Sequence, residues 1–495
     1  MQQLDFWIAK RARQCPQKTA LIQIETNERW TYGQFMKQIE WWGHHFSVNQ
    51  FQEGERIAVL MENSIHSFAI LFACRLKKLI YVPLNTRLAQ EELDYVISDC
   101  TPSILLTDKV NEQLAKNLMA SCQLYNEKPF TEEHFTYDWQ DEPQLPWLLI
   151  YTGGTTGKSK GVVLSYEAVT ANAMNTVISW GLNEEDCTLN YMPLFHTGGI
   201  NALALPILLA GGQVVIGKKF DPEIAIRALD DYKTTLSLFV PTMYQLMTDT
   251  DYFHESNFPT IKAFLSGGAP CPKPIYDRFI KRGLKFKEGY GLTEAGPNNF
   301  VIDAEIAVTK KGAIGKSMLL NEVKIVNHAG EHCKQGEVGE LYLRGSHMFS
   351  NYWNNVEETE KAFCEGWLKT GDLAKFDEDG DYYIVGRQKE MIITGGENVY
   401  PQEVEQCLIA ASFVDEVAVI GVPHHTWGES IVACIVSKQN SPMTEQTLRT
   451  LCKERLANYK VPKQFYFLSE LPKTAVGKID KKQLLQYVKV QSGIK

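Results

Sequence analysis

The stretch Tyr151-Thr-Gly-Gly-Thr-Thr-Gly-Lys-Ser-Lys-Gly161 gathers glycines, hydroxyls and cations into one turn. Gly153, Gly154 and Gly157 lack a Cβ, so the backbone can take positive φ and bring N–H groups close to phosphate oxygens. Thr152, Thr155 and Thr156 add hydroxyl donors, and Lys158 and Lys160 add cations. Every part suits an anion, and together they point to a nucleoside triphosphate. A Walker A loop needs four residues between its first glycine and the Gly-Lys pair; counting back from Gly157-Lys158, that place is Thr152, so the spacing fails. No Gly-x-Gly-x-x-Gly reads through the loop, which argues against a dinucleotide fold.

The elements around the loop must hold it. Trp147-Leu-Leu-Ile-Tyr151 reads as a buried strand, and Val162-Val-Leu164 leads to a helix capped by Ser165. From about residue 30 to 385, strand-like runs such as Arg56-Ile-Ala-Val-Leu60 alternate with helical stretches, which predicts α/β layers with much parallel sheet. The polar stretch Gly386-Arg-Gln-Lys-Glu390, after the Asp377–Asp381 hairpin, is the best boundary. Beyond it, Pro401 opens a helix, strands follow at 416–420 and 431–436, then a helix near 448–456 and a lysine-rich turn at 473–482. The expected fold is α/β: a large layered N-terminal domain with mixed and parallel sheets (1–386), a hinge (387–391) and a small mobile α+β C-terminal domain (392–495).

At 495 residues the chain exceeds what one core serves, and 44% hydrophobic content allows large cores. A net charge of −9 gives no footprint for nucleic acid, and Arg75-Leu-Lys-Lys78 reads as a solvated helix end. The 11 cysteines form no close pair, which suggests a reduced, cytoplasmic setting. No apolar run is long enough for stable membrane insertion. Oligomeric state is left open, a homodimer included.

Further motifs stand in order: Met192-Pro-Leu-Phe-His-Thr-Gly-Gly199, Ser266-Gly-Gly-Ala-Pro270, Tyr290-Gly-Leu-Thr-Glu294, Trp367-Leu-Lys-Thr-Gly-Asp372, Gly386-Arg387 and Pro472-Lys-Thr-Ala-Val-Gly-Lys-Ile479. With the glycine-rich loop, they resemble the AMP-forming acyl-CoA synthetases of the adenylate-forming superfamily over nearly the whole chain. Asn85-Thr-Arg87 and Gly395-Gly-Glu-Asn-Val-Tyr-Pro401 look most like the compact bacterial fatty acyl-CoA synthetases.

The resemblance implies attack of a carboxylate on the α-phosphorus of ATP, loss of pyrophosphate, and capture of the acyl-adenylate by the thiol of coenzyme A. It implies that the 152–160 loop clamps phosphates, that Glu294 holds Mg²⁺, and that Thr293 donates to the α-phosphate. Tyr290 would face adenine with Gly268 and Ala269 opposite, Asp372 would accept from the ribose hydroxyls, and Arg387 would add donors to the same nucleotide. Lys478 would reach from the small domain to the reacting oxygens, Lys389 would be the hinge, and Gly395 and Gly396 would line the pantetheine path. Without the resemblance, Lys478 among Lys473, Lys481 and Lys482 reads as a solvated basic turn. His196 reads equally as packing or as a gate between the acyl and pantetheine paths.

Two positions depart from the family pattern: Gly153 where serine is common, and Ser159 where proline is usual. One lost hydroxyl is worth roughly 1.5–3 kcal/mol of ATP binding. The segments expected around the acyl group, 197–203, 239–243, 266–270 and 295–296, carry no charge, which predicts a medium- to long-chain fatty acid, with an o-succinylbenzoate or other aryl acid as alternative. Loading of a carrier-protein thiol, loss of catalysis and an oxygen-using side activity are competing readings; the presence of Lys478 and Glu294 counts against the second.

Overall fold

The computed structural model describes residues 6–118, 122–124, 142–152, 159–438, 444–474 and 478–492. Its first sheet runs Asn351–Tyr352, Lys160–Ser165, Pro146–Thr152, Ile80–Pro83, Arg56–Leu60, Ile104–Thr107 and Cys122–Leu124. The middle strands are parallel and buried on both faces, as their continuous apolar runs require. Lys160–Ser165 is antiparallel to Pro146–Thr152, with Lys160 opposite Thr152, so the predicted phosphate loop joins two paired strands. Gly153, Gly154, Thr155, Thr156 and Gly157 themselves lie outside the described residues. Ser165 then caps the helix Tyr166–Trp180, accepting from the Ala168 N–H at 3.1 Å.

A second sheet runs Phe286–Glu288, Ala263–Ser266, Leu236–Phe239, Cys187–Asn190, Gln213–Ile216, Thr19–Gln23 and Arg29–Thr31, parallel except at its last pair. The helix Ile65–Leu76 is buried almost all round, consistent with its apolar run Phe68–Cys74, and the Trp147 indole donates to the Leu71 carbonyl at 2.8 Å. Arg75 is a correction. It is only 1% exposed, with its guanidinium 4.3 Å from the centre of the Tyr166 ring. The cation is held by an aromatic face rather than by water.

The α/β alternation stops earlier than expected. From Ala313–Ser317 onward the strands Glu322–Val326, Gly339–Arg344, Trp367–Phe376 and Tyr382–Arg387 pair antiparallel. Gly339–Arg344 alternates buried and half-buried residues, the period of a strand with one covered face. The Asp377–Asp381 turn is tied by Lys310, whose ammonium donates to Asp377, Asp379 and Asp381.

The smaller C-terminal domain has a separate sheet of Glu397–Val399, Ile392–Thr394, Gly428–Ser437, Val414–His424 and Gln464–Leu468. Its own core includes Val404, Leu408, Val419, Ile435 and Leu448. Pro401 is the first residue of the helix Pro401–Ile409. Among the described residues the cysteines are free, and no helix is long and apolar enough to cross a membrane.

Candidate active site

Two adjacent parallel strands, Ala263–Ser266 and Phe286–Glu288, end side by side, and the Gly289 N–H donates to the Ser266 carbonyl at 2.8 Å. The segments leaving them carry Gly268 and Ala269 on one side and Tyr290 on the other. Carboxyl ends of parallel strands are where open α/β sheets bind ligands. Gly268 has φ +81°, a conformation other residues rarely adopt.

Asp372 comes from the antiparallel sheet. Glu340 accepts from the Gly371 N–H at 3.1 Å, and the Thr370 hydroxyl accepts from the Asp372 N–H at 3.0 Å, which fixes the strand at this point. Asp372 lies opposite Arg387 on the neighbouring strand, with Arg387 Nε 2.7 Å from Asp372 Oδ1. The Tyr290 hydroxyl donates to Asp372 Oδ2 at 2.5 Å. Burial raises the pKa of the Asp372 carboxyl, while Arg387 and Tyr290 pull it back. Burial also works against the Arg387 charge, but Asp372, Tyr290 and Glu294 outweigh it and its pKa moves up.

Glu294 sits in the 3₁₀ turn Thr293–Ala295, whose Glu294 carbonyl accepts from the Phe349 N–H at 2.8 Å. Its carboxylate Oε1 accepts from the Tyr352 hydroxyl at 2.8 Å. Among the described residues no donor reaches Oε2. A half-buried carboxylate with one oxygen so placed fits Mg²⁺, which keeps most of its waters and takes few protein ligands. Lys160 lies 4.9 Å from the Tyr352 ring centre and pairs with Glu358. Thr152 lies across the strand pair from Lys160.

The C-terminal domain brings Lys478 to this group. Its backbone is held against Thr474, the Thr474 N–H donating to the Lys478 carbonyl at 2.7 Å. Lys478 is exposed to solvent here, with the charges of the cluster near it. Desolvation lowers its pKa, Arg387 adds to that, and Asp372, Glu390 and Glu294 oppose it. His196 is near enough to feel Lys478. Burial first, then the charges of Lys478 and Arg87, lower its pKa to about 4, so the imidazole is neutral at pH 7. Its Nε2 has no partner among the described residues. His196 precedes the π-helical turn Gly198–Ala202, a distortion common at functional sites.

Lys389 lies in the 3₁₀ turn Gln388–Glu390, with its pKa lowered by burial and then by Arg387. Gly395 and Gly396 are not brought to the cluster. They form the turn between Ile392–Thr394 and Glu397–Val399 and line an open groove of about 780 Å³ with Ile393 and Trp427. Sequence reasoning missed Glu340, Tyr352 and Glu358. Tyr352 meets Glu294 across 58 positions of sequence, and no local spacing signals such a contact.

A family model described as "AMP-binding enzyme" matches residues 8–353, and one described as "AMP-binding enzyme C-terminal domain" matches 403–478. The chain is 35% identical over 484 residues to a feruloyl-CoA synthase of Amycolatopsis sp, covering 97% of each. It is 32% identical to an indoleacetate–CoA ligase of Aromatoleum aromaticum, covering 98% of each. Among solved structures it resembles the o-succinylbenzoate CoA synthetase from Bacillus subtilis in complex with its acyl-adenylate intermediate, at TM-score 0.88 and 29% identity over 97% of this chain and 98% of that one. The same enzyme is also solved in complex with ATP and magnesium ion, at TM-score 0.87 and 28% identity over 97% of this chain and 99% of that one.

Proposed function

Because this chain belongs to the AMP-binding enzymes, and among them to the adenylate-forming acyl-CoA synthetases, we propose that it converts an apolar carboxylic acid, ATP and coenzyme A to acyl-CoA, AMP and pyrophosphate. The observation that carries this is the placement of Lys478, delivered by the small domain into the field of Asp372, Arg387 and Glu294. In this reading the arrangement is the adenylating one.

Tyr290 stacks against adenine, and Asp372, steadied by Arg387, accepts from the ribose hydroxyls. Thr293 donates to the α-phosphate, while Thr152, Lys160 and the 153–157 loop take the outer phosphates. Lys160 exchanges Glu358 for phosphate oxygens. Transfer at phosphorus depends on charge neutralisation and alignment, and Lys478 supplies both to the acyl carboxylate and the α-phosphate oxygens. Glu294 would hold Mg²⁺, whose charge would help to neutralise the phosphates. The neutral His196 side chain gates the path between acid and thiol. Turning about residues 387–391, with Lys389 as pivot, then carries Gly395 and Gly396 to the thiol path.

A medium- to long-chain fatty acid is the first substrate reading, supported by the uncharged segments 197–203, 239–243, 266–270 and 295–296. An aryl acid is the second, supported by relatives that include a feruloyl-CoA synthase and an indoleacetate–CoA ligase. Pyrophosphate release with ATP, Mg²⁺ and a panel of acids, followed by thioester formation with free coenzyme A, tests the proposal. Thioester formed only on a carrier protein, with none from free coenzyme A, would overturn the choice of thiol.

A further inference from the structure

Asn299 is fully buried, and each of its polar groups is hydrogen-bonded. Its backbone N–H donates to the Tyr290 carbonyl at 3.1 Å, and its side-chain Nδ2 donates to the Ala295 and Gly296 carbonyls at 3.1 and 3.0 Å. One residue thus closes the Tyr290–Gly296 turn at both ends. Its own carbonyl accepts from Asn321 Nδ2 at 3.0 Å and from the Met318 N–H at 3.1 Å.

The remaining group, Asn299 Oδ1, lies 2.9 Å from His347 Nε2. Because Nδ2 must face two carbonyls, Oδ1 is the acceptor and His347 must carry its hydrogen on Nε2. His347 is 2% exposed, and burial lowers its pKa to about 4, so it is a neutral donor of fixed tautomer. Two residues on, the Phe349 N–H holds the Glu294 carbonyl directly. The carbonyls of Glu294, Ala295 and Gly296 are therefore all bonded by a framework outside the turn.

We infer that Asn299, oriented by His347, is a positioning residue that holds Tyr290, Thr293 and Glu294 in the geometry needed to bind nucleotide. A buried network of this kind specifies one arrangement only when every member is satisfied. The inference rests on the proposed reading of Tyr290–Glu294 as a nucleotide site. Asn299→Asp keeps the shape but turns two donors into an oxygen facing two carbonyls. His347→Gln can place an amide nitrogen where imidazole Nε2 stands, and His347→Phe cannot.

The test is calorimetric titration of full-length protein with AMP alone, restricted to variants with the wild-type near-UV circular dichroism. Asn299→Asp and His347→Phe should weaken AMP binding by at least about tenfold, the scale of one lost buried hydrogen bond, and His347→Gln should stay within about threefold. All variants binding like wild type would overturn the positioning role, whereas failure of the wild type itself to bind AMP would overturn the nucleotide-site reading. Nitrogen-15 NMR of the wild type keeps the idea open to refutation if the variants do not fold. It should show His347 as the Nε2–H tautomer, and the Nδ1–H form would refute the orientation.

Discussion

Tyr290 and Asp372, 82 positions apart in sequence, meet through a 2.5 Å hydrogen bond from the phenol to the carboxylate. The ring assigned to adenine and the carboxylate assigned to ribose are thus one unit, joining the end of a parallel sheet to an antiparallel one. Tyr290→Phe keeps the ring and removes the donor. A hydrogen bond to a charged group is worth about 1.5–3 kcal/mol, so the KM for ATP should rise roughly tenfold or more with kcat changed far less. The lost donor also leaves Asp372 more easily protonated, because Tyr290 lowers a pKa that burial raises. The acid limb of nucleotide binding should therefore move to higher pH. An unchanged KM for ATP across the pH range would refute the unit.

Lys478 should confer an alkaline limb on adenylation. Its pKa is lowered, so its charge is lost as pH rises, at a pH below the ordinary lysine range. Pyrophosphate release should fall through that range, while thioester formation from preformed acyl-adenylate should lack the limb. Lys478→Ala should abolish the first half-reaction and largely spare the second. Equal losses in both would contradict the assignment.

That Tyr290, Glu294, Asp372, Arg387 and Lys478 would lie near one another was legible because their residue types are specific and their order matches a known pattern, whereas residues 153–157 of the phosphate loop lie outside the described residues. Strands such as Arg56–Leu60 were legible because a buried parallel strand has little choice but a continuous apolar run. Arg75 and Asn299 were not, since a charged or polar residue reads as exposed until the fold supplies its partner. Arg75 is buried by Tyr166, and Asn299 by carbonyls several residues back in the chain. The antiparallel run after residue 313 was hidden for a related reason: its short strands were read into the preceding α/β rhythm.

Glu288 offers a stability test separate from turnover. It is half-buried at the end of its strand and accepts from the Cys271 N–H at 3.0 Å; desolvation raises its pKa to about 7. A carboxyl whose folded pKa is raised favours the folded state fully below the unfolded value near 4.5, and that contribution is lost as pH rises to about 7. Glu288→Gln keeps a carbonyl acceptor and removes the titration. Relative to wild type, the variant should gain up to roughly 3 kcal/mol between pH 4.5 and 8, measured by urea unfolding at each pH. Parallel stability–pH curves would refute the burial argument.

The acyl preference is the finest of the proposals and the most exposed to test. The segments assigned to the pocket bring Ile200, Ala202, Val240 and Ala295 and no charge, and the buried amide of Asn201 is their strongest polar group. Burying a second carboxylate there would cost more than an amide can return. Each buried methylene of a straight chain contributes about 0.8 kcal/mol, nearly fourfold in affinity, until the slot ends. Across straight-chain acids, kcat/KM should therefore climb by a similar factor per carbon to a plateau in the medium- to long-chain range and exceed the value for succinylbenzoate. An aryl acid such as ferulate or indoleacetate outrunning every chain length would replace the fatty-acid reading with the aromatic one. A clear preference for succinylbenzoate would mean that a cation from outside these segments reaches the pocket.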